Sequence, residues 1–325
     1  MKLLEVSGLT KHYTSALGLF KQRAVVKAVD GVGFGVGVNN VFALVGESGC
    51  GKSTVARMIV RLTEPDAGKV LFKGVDIFSL RAEALTAYRR CVQIIFQDPF
   101  ASLNPRMSVF ATLSEPLRIH KIVPKSQYRD KVADLLHTVG MTPDVMNRYP
   151  HEFSGGQRQR ICIARALTLS PELVVADEPL SSLDVSIQAQ ILNLLLELKQ
   201  RIGLSYLFIS HDLHVVQYFS DETGVMYLGR IVEQGATEAV FTQPLHPYTQ
   251  MLIDSVPQID PNQVRPGATK NMVHRDSVIA EESLPSGCAF YPRCPRRFEP
   301  CSSISPALGP HSGRLVACHL YKEKK

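Results

Sequence analysis

Short runs rich in β-branched and large apolar residues fill the start of the chain: "LLEVSGL", "VKAVDGVGFGV", "VFALVG" and "KVLFKGVDI". Each is bounded by Gly, Asn or Asp, the punctuation that predicts strands. Between about residues 100 and 170 the period lengthens. In "RDKVADLLHTVG", Val132, Leu135, Leu136 and Val139 fall at i, i+3, i+4 and i+7, the stripe of an amphipathic helix. Apolar runs return in "ELVVADEP" and "LSYLFISHD", separated by the amphipathic "SIQAQILNLLLELKQRIG". Strand, helix, strand in that order predicts right-handed βαβ units and a parallel sheet. After about residue 257 the pattern dissolves into "VPQIDPNQVRPGATKNM", a predicted linker, and a cysteine-bearing tail follows.

Composition narrows the class. With 325 residues, 45% hydrophobic and 20% charged, the chain supports one large domain with an appendage, or two domains. The net charge of +6 is spread along the sequence, without the concentrated basic stripe that nucleic-acid binding favours, so no nucleic-acid partner is expected. An anionic membrane surface suits it equally well. Glu5 and Lys11 break any signal-peptide apolar region, and no stretch reaches the ~18 apolar residues of a spanning helix. A soluble, cytosolic protein with reduced thiols is therefore expected, which speaks against a disulfide framework.

Three strings carry chemistry. "GESGCGKST" follows "VFALV" and precedes "VARMIVRL", the strand, loop and helix context of a phosphate-binding loop. Gly46, Gly49 and Gly51 let the backbone curl so that successive N–H groups face a phosphate, and Glu47, Ser48, Cys50 and Thr54 complete the expected nucleotide contacts. Lys52 is placed to reach the β- and γ-phosphates, and Ser53 to ligate Mg²⁺. "LVVADEP" ends a strand on two carboxylates: Asp177 to hold Mg²⁺, and Glu178 to polarise the attacking water. In "FSGGQRQRICIARAL", Ser154, Gly155, Gly156 and Gln157 open a helix whose N–H groups suit an anion.

Taken together, these strings resemble the ATP-binding cassette (ABC) ATPases over roughly residues 1–255. The resemblance implies an α/β fold of the P-loop NTPase type: a RecA-like parallel sheet core, an antiparallel β subdomain, a helical subdomain near 98–170, and a small Cys-rich C-terminal extension. The expected division is 1–257 for the cassette and 258–325 for linker and extension. Gln97 in "IIFQDP" matches the Q-loop, with a share in Mg²⁺, Asp184 in "SSLD" the D-loop, and His211 in "FISHD" the switch histidine. Tyr13 in "LTKHY" matches the aromatic residue that stacks on adenine. Glu178, His211 and Gln97 are then the catalytic set. The family mechanism pairs two cassettes head to tail, each ATP lying between one phosphate loop and the partner's Ser-Gly-Gly, and closure drives a membrane domain.

"FQDPFASLNPRMSV", "LHPYTQMLIDSVP" and the tail "GCAFYPRCPRRFEPC" look like the second ATPase subunit of dipeptide and oligopeptide importers, whose relatives carry nickel or glutathione. This implies a second ATPase subunit as heterodimer partner, two transmembrane permease subunits, an indirect extracytoplasmic peptide-binding protein, and residence at the cytoplasmic face of the membrane. Cys288, Cys294, Cys301 and Cys318 gather in a tail with too little apolar mass for its own core. Four thiolates suit a 4Fe–4S cluster or a tetrahedral zinc, and the lack of a C-x₂-C pair favours the cluster. Free, packed cysteines are the remaining reading, and His311 and His319 are spare ligands. Cys50, Cys91 and Cys162 are expected as small packing residues in the phosphate loop, a strand and a helix, with Cys50 also open to alkylation unless ATP protects it. The rivals are a soluble cassette ATPase of DNA repair or translation, and a metal-dependent regulatory module that merely binds ATP.

Overall fold

The computed structural model describes residues 2–15, 24–255 and 286–321. In chain order the elements are β1 (Lys2–Ser15), β2 (Ala24–Gly37), β3 (Val41–Val45), α1 (Lys52–Ile59), β4 (Ala67–Phe72), β5 (Val75–Asp76), α2 (Ala82–Cys91) and β6 (Val92–Ile95). Then follow α3 (Pro99–Ser102), α4 (Val109–Ile119), α5 (Tyr128–Thr138), α6 (Gly155–Leu167), β7 (Leu173–Asp177), α7 (Val185–Ile202) and β8 (Ser205–Ser210). The last are α8 (Leu213–Phe219), β9 (Glu222–Tyr227), β10 (Arg230–Ala236), α9 (Thr237–Thr242), α10 (Pro247–Asp254), β11 (Gly309–His311) and β12 (Arg314–Val316).

Two sheets organise the chain: a four-stranded one in the order β2-β1-β4-β5 and an eight-stranded one in the order β11-β12-β10-β9-β3-β8-β7-β6. The first is antiparallel. In the second, β6, β7, β8, β3 and β9 run parallel, while β10, β12 and β11 join antiparallel at one edge. The central strands are apolar without interruption because both their faces are covered. Val41, Ala43 and Val45 of β3 pack into one core with Val174 and Ala176 of β7 and the helices α4 to α7. Phe42 and Leu44 point the other way, into a second core with α1, β1 and β2.

This is the α/β architecture the sequence leads one to expect, with four differences. The first hairpin is longer than its apolar runs, because Tyr13 and Thr14 of β1 pair with β2 at positions exposed to solvent. Cys91 ends α2 and does not belong to a strand; the turn into β6 falls one residue later. Cys50 is only 4% exposed and burial pushes its thiol up, so it is a packing residue and not an alkylation site. The tail is not a separate appendage: β12 pairs with β10 and so extends the main sheet. The linker expected after about residue 257, and residues 16–23 between β1 and β2, lie outside the described residues. Among the described residues no helix is long and apolar enough to cross a membrane.

Candidate phosphate-binding site

Where β3 ends, the chain turns sharply into α1. Gly51 has φ 105°, and a Cβ there would lie 1.9 Å from the Ala28 carbonyl oxygen of β2. Only glycine fits such an approach in that region of backbone space. The Lys52 ammonium is buried and donates to the carbonyls of Gly46 and Glu47 at 2.8 and 3.0 Å. Ser53 Oγ donates to Asp177 Oδ1 at 2.9 Å, joining the start of α1 to the end of β7. Burial pushes the Asp177 carboxyl up, Glu178 adds to this, and the Ser53 hydroxyl opposes it. Ser48, Gly49, Gly51, Lys52, Ser53 and Thr54 line one wall of a cavity of about 560 Å³.

Across that cavity stand Gln97 and Glu178. Gln97 Nε2 donates to Glu178 Oε2 at 3.0 Å, and His211 Nδ1 lies 3.1 Å from the same oxygen. Glu178 has φ 48°, and its N–H donates to the Ile209 carbonyl at 3.0 Å. A non-glycine residue in the left-handed region costs roughly 1–2 kcal/mol, strain that persists only where the surroundings fix it. Here the end of β8 fixes it, and the residue lines the cavity.

Other expected contacts lie elsewhere. Tyr13 is an exposed residue of β1 that does not line the cavity, although its strand partner Val26 does. Ser154 caps α6: its hydroxyl accepts from the Gln157 N–H, and the Ser154 N–H donates to Gln157 Oε1 at 3.0 Å. Gly155 and Gly156 face Leu183 and Ile187; a Cβ on Gly156 would lie 2.5 Å from Ile187. The Asp184 carbonyl accepts from Ile187 and Gln188 N–H at 2.9 Å, so the Ser-Gly-Gly turn and the start of α7 form one surface away from the cavity.

Cys288, Cys294, Cys301 and Cys318 are drawn to one small cavity, shared with His246 and His319, and all are free thiols. His319 Nε2 lies 2.8 Å from the Ile304 carbonyl, while the His311 ring instead packs at a tilt of 39° against Tyr321. Burial pushes the Cys288 and Cys294 thiols up, and that of Cys318 to about 11; neighbouring cysteines add to the shift. Among the described residues no group of three or more His, Cys, Asp or Glu side chains forms a metal-holding set.

Two groups beside the phosphate loop have no signal in the sequence. The Tyr248 hydroxyl accepts from the Glu47 N–H at 3.0 Å, and Arg293 pairs with the Glu47 carboxylate. Both come from far along the chain, and no spacing rule connects them to the loop.

Residues 29–181 match the ABC transporter family, and residues 232–301 match the oligopeptide/dipeptide transporter C-terminal region. The dipeptide transport ATP-binding protein DppF of Escherichia coli is 46% identical over 97% of this chain and 93% of its own length. The chain belongs to the ABC transporter ATP-binding proteins. A probable peptide ABC transporter ATP-binding protein, y4tS of Sinorhizobium fredii, is 48% identical over 98% of this chain and 90% of that protein. Among solved structures, the ATP-binding cassette MJ0796, a dimer in a post-hydrolysis state bound to ADP and phosphate, superposes with a TM-score of 0.63. It is 26% identical and covers 72% of this chain and 98% of its own. The ABC fold thus accounts for the parallel core sheet, and the second match covers β10 and the tail as far as Cys301, ahead of β11 and β12.

Proposed function

We propose that this chain is the ATP-hydrolysing subunit that powers a dipeptide or oligopeptide importer, working with a second ATPase subunit and two membrane permeases at the cytoplasmic face of the membrane. An extracytoplasmic binding protein delivers the peptide to the permeases. The observation that carries the reading is the meeting of Gln97 and His211 on one oxygen of Glu178, beside the phosphate loop. That carboxylate is the base: it takes a proton from water in line with the γ-phosphate, and His211 steadies the charge that develops. Lys52 grips the phosphates. Ser53, Asp177 and Gln97 fit a hard cation, as oxygen donors beside a buried carboxylate, and Mg²⁺ there would offset phosphate charge. Tyr13, exposed on β1 opposite the cavity-lining Val26, would serve as the adenine platform only from beyond the cavity's edge.

Ser154, Gly155, Gly156, Gln157 and Asp184 serve the partner's nucleotide. Their position away from this chain's own cavity supports a site shared between two subunits, as does the dimeric state of MJ0796. The four tail cysteines are free thiols around one small cavity and match a soft metal centre in donor type, and a 4Fe–4S cluster that drew them closer than they lie here would staple the extension over 258–325 to the cassette over 1–257. Zinc is the alternative occupant.

Co-expression with the two permeases and the second ATPase of one peptide transporter, followed by reconstitution, tests the function. Peptide-stimulated phosphate release and peptide uptake that stop when this subunit is omitted are expected. Stimulation by nickel or glutathione in place of peptides would sink the peptide assignment.

A further inference from the structure

Arg293 lies in the tail, in a single turn at Tyr291–Arg293 between Cys288 and Cys294. Its guanidinium reaches back across the sequence and forms a fork on Glu47 of the phosphate loop, Nη1 to Oε2 and Nη2 to Oε1, both at 2.9 Å. The reach is fixed from several sides. The guanidinium carbon lies 5.9 Å from the ring centroids of both Tyr227 and Phe290. Phe290 in turn packs edge-on against Tyr227 and Tyr248. The Cys288 N–H donates to the Cys301 carbonyl at 2.8 Å, which anchors the turn to the rest of the tail.

Glu47 is an awkward residue in a loop that must receive a polyanion. Its carbonyl accepts from Lys52, whose charge the phosphates need, and its own carboxylate would repel them. A planar, bidentate guanidinium both neutralises that carboxylate and holds it in one direction, which an ammonium does less well.

We propose that Arg293 is a positioning residue for nucleotide: it is the counter-ion that holds the Glu47 carboxylate away from the phosphate site, so the C-terminal extension completes the nucleotide site of its own chain. This rests on the reading of the Lys52 loop as the ATP site. Arg293 does not touch ATP. It removes a repulsion that grows with the charge of the nucleotide, so ATP gains more from it than ADP.

The test is equilibrium binding of a fluorescent ATP analogue, and of ATP and ADP by displacement, to the full chain. Both partners of the ion pair are partly exposed, which limits the effect. Arg293→Ala is expected to weaken ATP binding on the order of 5-fold at low salt, and ADP binding less. Arg293→Lys should fall between it and the parent chain. Adding Glu47→Gln to Arg293→Ala should restore most of the lost affinity, and ~1 M salt, where the screening length is about 3 Å, should shrink the difference. Those last two responses separate a counter-ion from a purely structural strut. Unchanged ATP binding in Arg293→Ala overturns the proposal, as does a defect that Glu47→Gln leaves in place. Lys52→Ala is the control: if it binds ATP as the parent chain does, the reading of the loop itself fails.

Discussion

Arg314 of β12 and Glu233 of β10 form an ion pair at 3.4 Å with side chains only 4% and 0% exposed. The Glu233 carboxylate also accepts the N–H groups of Leu245 and His246 at 2.9 and 2.8 Å, and Arg314 donates to the carbonyls of Ala239 and Gln243. The tail is thus pinned to the cassette by a buried charge whose two Nη groups are bonded, while Arg314 Nε has no partner among the described residues. Removing one partner leaves the other uncompensated, at a cost of about 3–5 kcal/mol. Arg314→Met should therefore lower the urea midpoint and open the tail to protease, while a double change of Arg314→Met with Glu233→Gln should recover part of the loss.

Glu178→Gln keeps the shape of the side chain and its contacts with Gln97 and His211, but cannot accept a proton. Steady-state phosphate release by the assembled transporter should fall at least 100-fold, the range for loss of a general base, with ATP binding unchanged within about twofold. Undiminished release would remove Glu178 from the chemistry.

Burial lowers the pKa of His246 from its usual 6.5 to about 4. The folded protein thus holds this ring neutral where the unfolded chain would protonate it. Its contribution is complete above pH 6.5 and is lost as pH falls from 6.5 toward 4, roughly 3 kcal/mol in all. His246 Nδ1 also accepts the Tyr248 N–H at 3.0 Å, a capping role that Asn can fill. His246→Asn should flatten the acid limb of stability against pH, read as urea midpoints across that window.

Anaerobic purification followed by iron and acid-labile sulfide determination checks the cysteine centre. About four irons and four sulfides per chain are expected, with loss of both in Cys294→Ser. One zinc per chain without sulfide would replace the cluster by zinc.

Elements buried on both faces are easily read from the sequence: "VFALV", "LVVAD" and "SYLFIS" are β3, β7 and β8 because no position along them meets water. The tail strands are not, because β11 and β12 are three residues each and exist only by pairing, β12 with β10 and β11 with β12. The same contrast holds at the site. Gly46 to Ser53, Asp177 and Glu178 announce themselves through local context, strand then turn then helix. Gln97 and His211 are ordinary residues taken singly and gain meaning from the order of motifs. Arg293 had no such cue: an arginine among prolines in a cysteine-rich tail says nothing about a glutamate 246 positions earlier.

The placement of β12 beside β10 also bears on biosynthesis. Translation completes β10 roughly 80 residues before it delivers β12, an interval on the order of 4–16 s at common elongation rates. Throughout that interval the outer hydrogen-bonding groups of β10 have no neighbour within the nascent polypeptide and can recruit a strand from another ribosome's product. Premature termination before Arg314 would make that vulnerability permanent, so truncated chains should precipitate even though every residue of the phosphate loop is already in place.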